Sequence, residues 1–381
     1  MLYRLLPTSR NMMLPDLSRY RIRLSQWLKQ PPANIVGIDI GTGCIKAVEI
    51  ALIAGQPVLK AAGLTDLPPG LIENGYVAKP AELAATISSL LTNSGIVSRN
   101  VVVAVSGSAV FVREVILPAM SIKELKEAIK WDMEKYIPFA PDSYYHDFAI
   151  AGQGENETEL RVLLVAAPRR LVDSLTGVLT EAACQTIAVD IEALALSRTL
   201  SGSEDANTVI LDIGKTVSRV IVFQESIPVI TRFLPIGGQN FTEIIMQSFT
   251  LEYTEAERVK QYPAGQLNSP ISQGEVSAVA RRFEELVTEF AREVRRTLEY
   301  LQLQNRKASI ERVYLTGGGT KLEILHQHLS EHIGDIVLLK HKPLAGISLS
   351  QSIDKRFLHD FAPQLAVAIG LAMYRGSYDY N

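Results

Sequence analysis

The stretch NIVGIDIGTGCIKAVEI, residues Asn34 to Ile50, decides how the rest of the chain is read. An apolar run, Ile35–Ile40, carries Asp39 and ends at Gly41; Thr42 and Gly43 make a turn, and a second apolar run, Ile45–Ile50, leads back. Alternating apolar segments joined by a glycine-built turn predict an antiparallel hairpin. The pattern recurs in TVILDIGKTVSRVIVF, Thr208 to Phe223, where Asp212-Ile213-Gly214 aligns with Asp39-Ile40-Gly41 and the flanking strands superimpose without a gap. A strand-turn-strand unit that opens each half of the chain predicts two lobes of similar build.

The residue types at these turns point to a chemistry. Glycine removes the side chain that keeps a phosphate from backbone N–H groups. A carboxylate at the strand end, Asp39 or Asp212, repels a phosphate but orients the water shell of a magnesium ion, which keeps several of its waters. Two such hairpins facing each other would clamp a triphosphate, with Lys46 as a point charge for its outer phosphates. A third signal is Gly317-Gly318-Gly319, between a strand and a helix, where three glycines allow close backbone approach to a flat ligand such as adenine.

A length of 381 residues exceeds one ordinary core and predicts two or three compact units. A net charge of −3 with 47% hydrophobic and 21% charged residues is a globular composition, unlike the basic footprint of a nucleic-acid binder. The longest apolar runs, LRVLLVAAP and LAVAIGLAMY, fall short of the ~20 residues that span a bilayer. Cys44 and Cys184 form no Cys-x-x-Cys pattern, and no secretory leader pattern is visible, so a cytoplasmic protein with two buried thiols is expected. Residues 1–32 carry Arg4, Arg10, Arg19, Arg21, Arg23 and Lys29 against Asp16, interleaved with Leu5, Leu6, Leu14, Leu17, Ile22, Leu24, Trp27 and Leu28. This basic tail suits either an anionic membrane surface or partner groove, or a poorly ordered extension ended by Pro31-Pro32.

Further along, a helix is expected at Pro80–Ser94, followed by the strand VVVAVSG and the extended VFVREVILP. SIKELKEAIKWDMEKYI is a helix opened by a Ser121/Glu124 capping box and ended by Pro138. A hairpin (Tyr144–Pro168), a helix, the strand QTIAVDI and the short helix EALALSRTL complete the first half, and Ser201–Asn207 reads as the linker. The second half adds the strand IPVITRFLP, a Gly237-Gly238 turn, a mostly helical stretch with one long helix, the strand ERVYLTGGG and a closing helix after Pro363. Trp131 and Tyr136 are expected in a core, and His326, His328 and His332 on a solvated helix face rather than at a metal.

With both hairpins, the connecting segment Val189–Leu196 and the loop Leu315–Thr320 in place, the chain resembles the actin, heat-shock chaperone and sugar-kinase superfamily. Within it, the order VGIDIGTGCIKAVEI, FVREVILPAM, EKYIPF, LLVAAP, VDIEALAL, AERVK, GGGTKL and AVAIGLAMYR is similar to the PilM family of type IV pilus assembly over residues 34–376. The resemblance implies an α/β actin-like ATPase fold: two RNase H-like lobes around a nucleotide cleft, with an inserted subdomain of the kind found in the cell-division protein FtsA. The implied division is a basic extension at 1–32, a first lobe at 33–200 and 362–381 with an insertion at about 108–167, and a second lobe at 201–361 with a helical part at about 240–305.

Carried over by residue, Gly41, Thr42, Gly43 and Lys46 form the first phosphate turn, and Gly214, Lys215 and Thr216 the second, with Gly238 beside it. Glu257 and Lys260 reach the ribose and adenine opposite Gly317, Gly318 and Gly319, and Asp39 and Asp212 hold magnesium through water. Lys215 stands where the pattern usually has a small residue; it either contacts phosphate or points to solvent. Asp190 or Glu192, with Glu192 favoured by a gap-free alignment, takes the water-positioning place; the alternative is that Asp190 caps a helix and Glu192 sits in its first turn.

The implied function is an ATP- or ADP-binding cytoplasmic scaffold with at most slow hydrolysis. It docks the N-terminal segment of the membrane protein PilN, and possible further partners are other pilus motor components, which places it at the inner face of the inner membrane. An active ATPase, a filament former and the equivalent scaffold of a related secretion system are the alternatives; no motif supports a small-molecule kinase. The PilN segment is typically Asn-Leu-Leu-Pro-like, so Arg4-Leu5-Leu6-Pro7 in the tail raises the expectation of a self-competing segment.

Overall fold

The computed structural model describes residues 32–375 except 74, 106, 108, 141, 155, 201–206, 262–272, 305–309 and 335. The basic tail up to residue 31, with its Arg4–Pro7 segment, and most of the expected linker lie outside the described residues.

The first sheet begins with an antiparallel meander, β1 (Asn34–Ile40), β2 (Cys44–Ile53) and β3 (Gln56–Asp66). A short pair, β4 (Ile72–Glu73) and β5 (Tyr76–Val77), leads into α1 (Pro80–Asn93), whose proline occupies a first-turn position where no intrahelical N–H is needed. The next strand, β6 (Asn100–Val105), lies parallel to β1. Its Val101, Val102 and Val103 are all fully buried, the unbroken apolar run of a strand covered on both faces.

The chain then leaves this sheet. A separate antiparallel sheet, ordered β7-β9-β8, is built from β7 (Phe111–Pro118), β8 (Tyr144–Gln153) and β9 (Glu159–Pro168), with α2 (Ile122–Tyr136) packed on it through Leu125 and Ile129. The capping box that starts α2 is present: Ser121 N donates to Glu124 Oε2 at 2.9 Å and Glu124 N to Ser121 Oγ at 3.3 Å. Trp131 departs from expectation. It is 81% exposed, because α2 covers the small sheet with one face and carries Trp131 on the other, whereas Tyr136 packs partly buried against the core.

After α3 (Arg169–Glu181), β10 (Gln185–Ile191) returns to the first sheet parallel to β6 and runs straight into α4 (Glu192–Ser197). The second meander follows as β11 (Asn207–Ile213), β12 (Ser218–Gln224) and β13 (Ile227–Leu234). Three helices, α5 (Gly238–Phe249), α6 (Tyr253–Gln261) and α7 (Gln273–Gln304), precede β14 (Arg312–Thr316), which pairs parallel with β11. Beyond it lie α8 (Glu323–His332), β15 (Val337–Lys340), β16 (Ser348–Leu349), α9 (Lys355–Phe361) and α10 (Ala366–Ala372).

The two large sheets run β10-β6-β1-β2-β3-β16 and β13-β12-β11-β14-β15. Without β16, both have one topology: a three-stranded antiparallel meander whose first strand pairs with a parallel strand, which pairs in turn with a second. The predicted repeat is therefore a repeat of architecture, and strands β1 and β11 are its equivalent centres. Buried side chains of α4 and α10, Leu194, Leu196, Val367 and Leu371 among them, join Ile210, Ile221 and Phe223 of the second sheet in one core that links the lobes. Cys44 and Cys184 are free and buried, and no described helix is long and apolar enough to cross a membrane.

Candidate functional site

In the first hairpin the β1–β2 register sets Asp39 opposite Lys46. Lys46 Nζ donates to Asp39 Oδ2 at 2.9 Å, with only 11% and 8% of the two side chains exposed. Burial alone would pull the Lys46 pKa down; Asp39, Cys44 and the hydrogen bond outweigh it and hold the ammonium above its ordinary value. The turn is closed by Gly41 N–H donating to the Cys44 carbonyl at 3.1 Å. A Cβ on Gly41 would stand 2.8 Å from Lys46 Nζ, so the glycine makes room for the ammonium at the turn.

The second hairpin repeats this register with Asp212 opposite Arg219. One terminal nitrogen of Arg219, Nη2, lies 2.7 Å from Asp212 Oδ2, and the other, Nη1, meets Glu192 Oε2 in the first turn of α4. The contact to Asp212 is ionic rather than an aligned hydrogen bond. Burial and then the neighbouring Asp39 charge push the Asp212 carboxyl up to about 7, with Lys46 opposing; burial lowers the Arg219 guanidinium, with Asp39 opposing. Arg219 was not among the residues expected from sequence. The signal was available, since it aligns with Lys46 in the repeat.

The two turns meet across the lobes, where Thr216 Oγ1 donates to Thr42 Oγ1 at 3.0 Å. Lys215 reaches from the second turn over the first. Its stem crosses Gly43, where a Cβ would be 2.7 Å from Lys215 Cδ, and its ammonium sits 4.9 Å from the Tyr253 ring centre at the start of α6. On α6, Lys260 Nζ donates to Glu257 Oε1 at 2.5 Å, to Thr242 Oγ1 at 2.7 Å and to the Gly238 carbonyl at 3.0 Å. Burial would raise Glu257, but hydrogen bonds from Lys260 and Thr242 hold it below its ordinary value, while burial keeps Lys260 low despite Glu257. Glu257, Lys260 and Gly238 thus form one cluster at the start of α5.

The three glycines after β14 do different jobs. Gly317 has φ 86°, and a Cβ there would lie 2.4 Å from Asp212 Oδ1. Gly319 is packed against the Ile213 side chain. Gly318 faces the Gln364 amide, where a Cβ would have 3.4 Å of clearance. At Gly317 and Gly319 the backbone also lies close against the second hairpin.

The structure separates Asp190 from Glu192. Asp190 Oδ1 accepts from Ile191 N at 2.8 Å and Oδ2 pairs with Arg198 Nη2 at 2.5 Å. Arg198 in turn donates to the Gly370 carbonyl at 3.0 Å and lies over Tyr374, so this pair ties α4 to α10. The N-cap of α4 is Ile191, with no side-chain cap, so Asp190 does not serve as the cap. Glu192 is 7% exposed and turned toward the second hairpin. A residue missed from sequence is His341, 5% exposed, with Nδ1 3.2 Å from Thr316 Oγ1 and Nε2 3.2 Å from both Thr199 Oγ1 and the Thr199 carbonyl. Burial lowers its pKa, favouring the neutral ring.

Glycine turns, an ammonium and opposed hydroxyls are a donor set that fits phosphate. A directly ligated divalent ion fits less well: Asp39 faces Lys46, Asp212 and Glu192 face Arg219, and among the described residues no three metal-ligating side chains converge. A magnesium ion would meet Asp39 and Asp212 through its own waters. His326, His328 and His332 form no such group either; His328 Nδ1 is 3.4 Å from Glu331, and His332 contacts the His328 carbonyl.

The sequence profile of the family described as "Type IV pilus assembly protein PilM" matches residues 37–376. Among solved structures, the chain is similar to a PilM–PilN type IV pilus biogenesis complex, at 31% identity and a TM-score of 0.77, covering 90% of this chain and 98% of that one. It is also similar to the ethanolamine utilization protein EutJ from Carboxydothermus hydrogenoformans, at 16% identity and a TM-score of 0.53, covering 90% of each chain, a likeness of fold alone.

Proposed function

The chain belongs to the family of the type IV pilus assembly protein PilM, and from that premise we propose that it is a nucleotide-binding scaffold whose cleft sets the angle between its lobes and thereby its grip on a membrane protein of the pilus. The observation that carries this is the pair of opposed hairpins, each with a glycine turn and a registered Asp–cation pair, whose tips touch through Thr42 and Thr216. Gly41, Thr42, Gly43, Gly214 and Thr216 receive the phosphates of ATP or ADP, with Lys46 as the neutralising charge. Lys215 closes over the first turn, Glu257 and Lys260 hold the ribose and base edge, and Gly318 borders the base. Bound magnesium supplies charge neutralisation at the phosphate oxygens.

The partner half of the proposal draws on the PilM–PilN complex. An N-terminal segment of a PilN-type protein docks beside the inserted β7-β9-β8 sheet and keeps this protein at the inner face of the inner membrane, within reach of other pilus motor components. The test is calorimetric titration of ATP with magnesium, followed by titration of a synthetic Asn-Leu-Leu-Pro peptide into the protein with and without nucleotide. A peptide affinity that changes by about tenfold, or 1.4 kcal/mol, on filling the cleft is the expected result. Equal affinities remove the coupling, and no heat from ATP removes the nucleotide half.

A further inference from the structure

The resident cations of the two hairpins differ in reach. Lys46 meets one carboxylate, that of Asp39. The planar fork of Arg219 meets two, and the second, Glu192, belongs to α4 in the other lobe. On the nucleotide reading of the cleft, Glu192 is the buried carboxylate that would orient a water attacking a γ-phosphate. Its Oε2 is committed to the guanidinium.

We propose that Arg219 is a positioning residue that sets this cleft to hold a nucleoside triphosphate without hydrolysing it, by pinning Glu192 and neutralising Asp212 with one side chain. The proposal rests on the nucleotide reading of the cleft. The guanidinium offsets carboxylate charge beside the second turn, so less of that offset falls to a divalent ion. It also holds Glu192 of α4 against β12 and staples the lobes. When the pair is broken, Glu192 accepts a proton from water as the water oxygen bonds to the γ-phosphorus; the bond to the bridging oxygen breaks, and ADP leaves with that electron pair. An ammonium in place of the fork keeps the charge and gives up the double contact, since it has no planar pair of donors.

The experiment compares the full chain with Arg219→Lys, Arg219→Gln and the double variant Arg219→Gln/Glu192→Gln. ATP is titrated with magnesium and again with a chelator, and phosphate release is followed in the same samples. The wild type should bind in both conditions and release no phosphate. Arg219→Gln should lose at least about tenfold in affinity without magnesium, recover part of it with magnesium, and begin to release phosphate; the double variant should fall silent. Arg219→Lys should bind like the wild type yet release phosphate, which separates charge from fork; it also carries the test if Arg219→Gln does not fold. An Arg219→Lys or Arg219→Gln protein that binds ATP and stays silent, or a wild type that turns over steadily, overturns the role of Arg219 and leaves the nucleotide reading intact. A wild type that binds no ATP removes both.

Discussion

In the first hairpin the basic residue across from the strand-end aspartate is Lys46, 2.9 Å from Asp39, an ion pair within one lobe. In the second it is Arg219, 2.7 Å from Asp212 and extended to Glu192 of the opposite lobe. Backbone register, the hydrogen bond that closes the turn and the aspartate are the same, so the difference in reach lies in the cation. A compact point charge completes a local pair; a planar fork joins two carboxylates and, here, two lobes. A repeated scaffold can therefore keep two equivalent glycine turns while giving only one of them an ion pair to the opposite lobe.

The comparison can be broken most forcefully at the buried pairs. Lys46→Met leaves Asp39 buried without its cation and should cost about 3–5 kcal/mol in urea unfolding, with most of it regained when Asp39→Asn is added. A loss below about 1 kcal/mol would mean that water reaches Asp39 and the first hairpin needs no resident cation. Next is Gly317→Ala, where positive φ and the Asp212 oxygen both oppose a Cβ. It should cost about 2–3 kcal/mol, against about 1 kcal/mol for Gly55→Ala, which has a similar φ of 78° and nothing within 4 Å. Equal losses would show that contact with the second hairpin contributes nothing beyond backbone strain.

A third effect is set by pH. The folded His341 pKa is lowered, so the unfolded chain binds more protons below the ordinary histidine value of 6.5; its contribution to stability is complete above 6.5 and is lost as pH falls toward the folded value. Lowering the pH from about 7 to 5.5 should destabilise the wild type more than His341→Gln, read from denaturation midpoints. Identical pH profiles would mean that burial does not hold the His341 ring neutral. Smallest of all, Thr216→Val deletes only the exposed hydroxyl contact with Thr42 and should change stability by about 0.5 kcal/mol or less. A larger loss would make the hairpin tips, rather than Arg219, the main tie across the cleft.

Much of this architecture was legible before the structure. Strand β10 is QTIAVDI and α4 begins at the next residue, as read from the sequence, because apolar periodicity and a switch to helix formers are local signals. The Ser121/Glu124 box and the Pro80 helix start were legible for the same reason. Trp131 was misplaced because a large aromatic in an amphipathic helix looks like core until the size of the sheet beneath it is known; α2 rests on only three strands. His341 gave no local signal, since its partners Thr199 and Thr316 lie 142 and 25 residues away.

At the cleft, two Asp-Ile-Gly hairpins and the glycines at their turns were legible in the sequence, as products of side-chain alternation and backbone sterics within a few residues. Tertiary structure alone decided which of Asp190 and Glu192 faces the second lobe, that Gly317 and Gly319 serve β11, and that Arg219 joins Asp212 to Glu192. Those outcomes depend on how α4 packs against the second sheet. Residues far apart in the chain come within an ion pair's reach only once both lobes have folded, and local periodicity carries no trace of that distance.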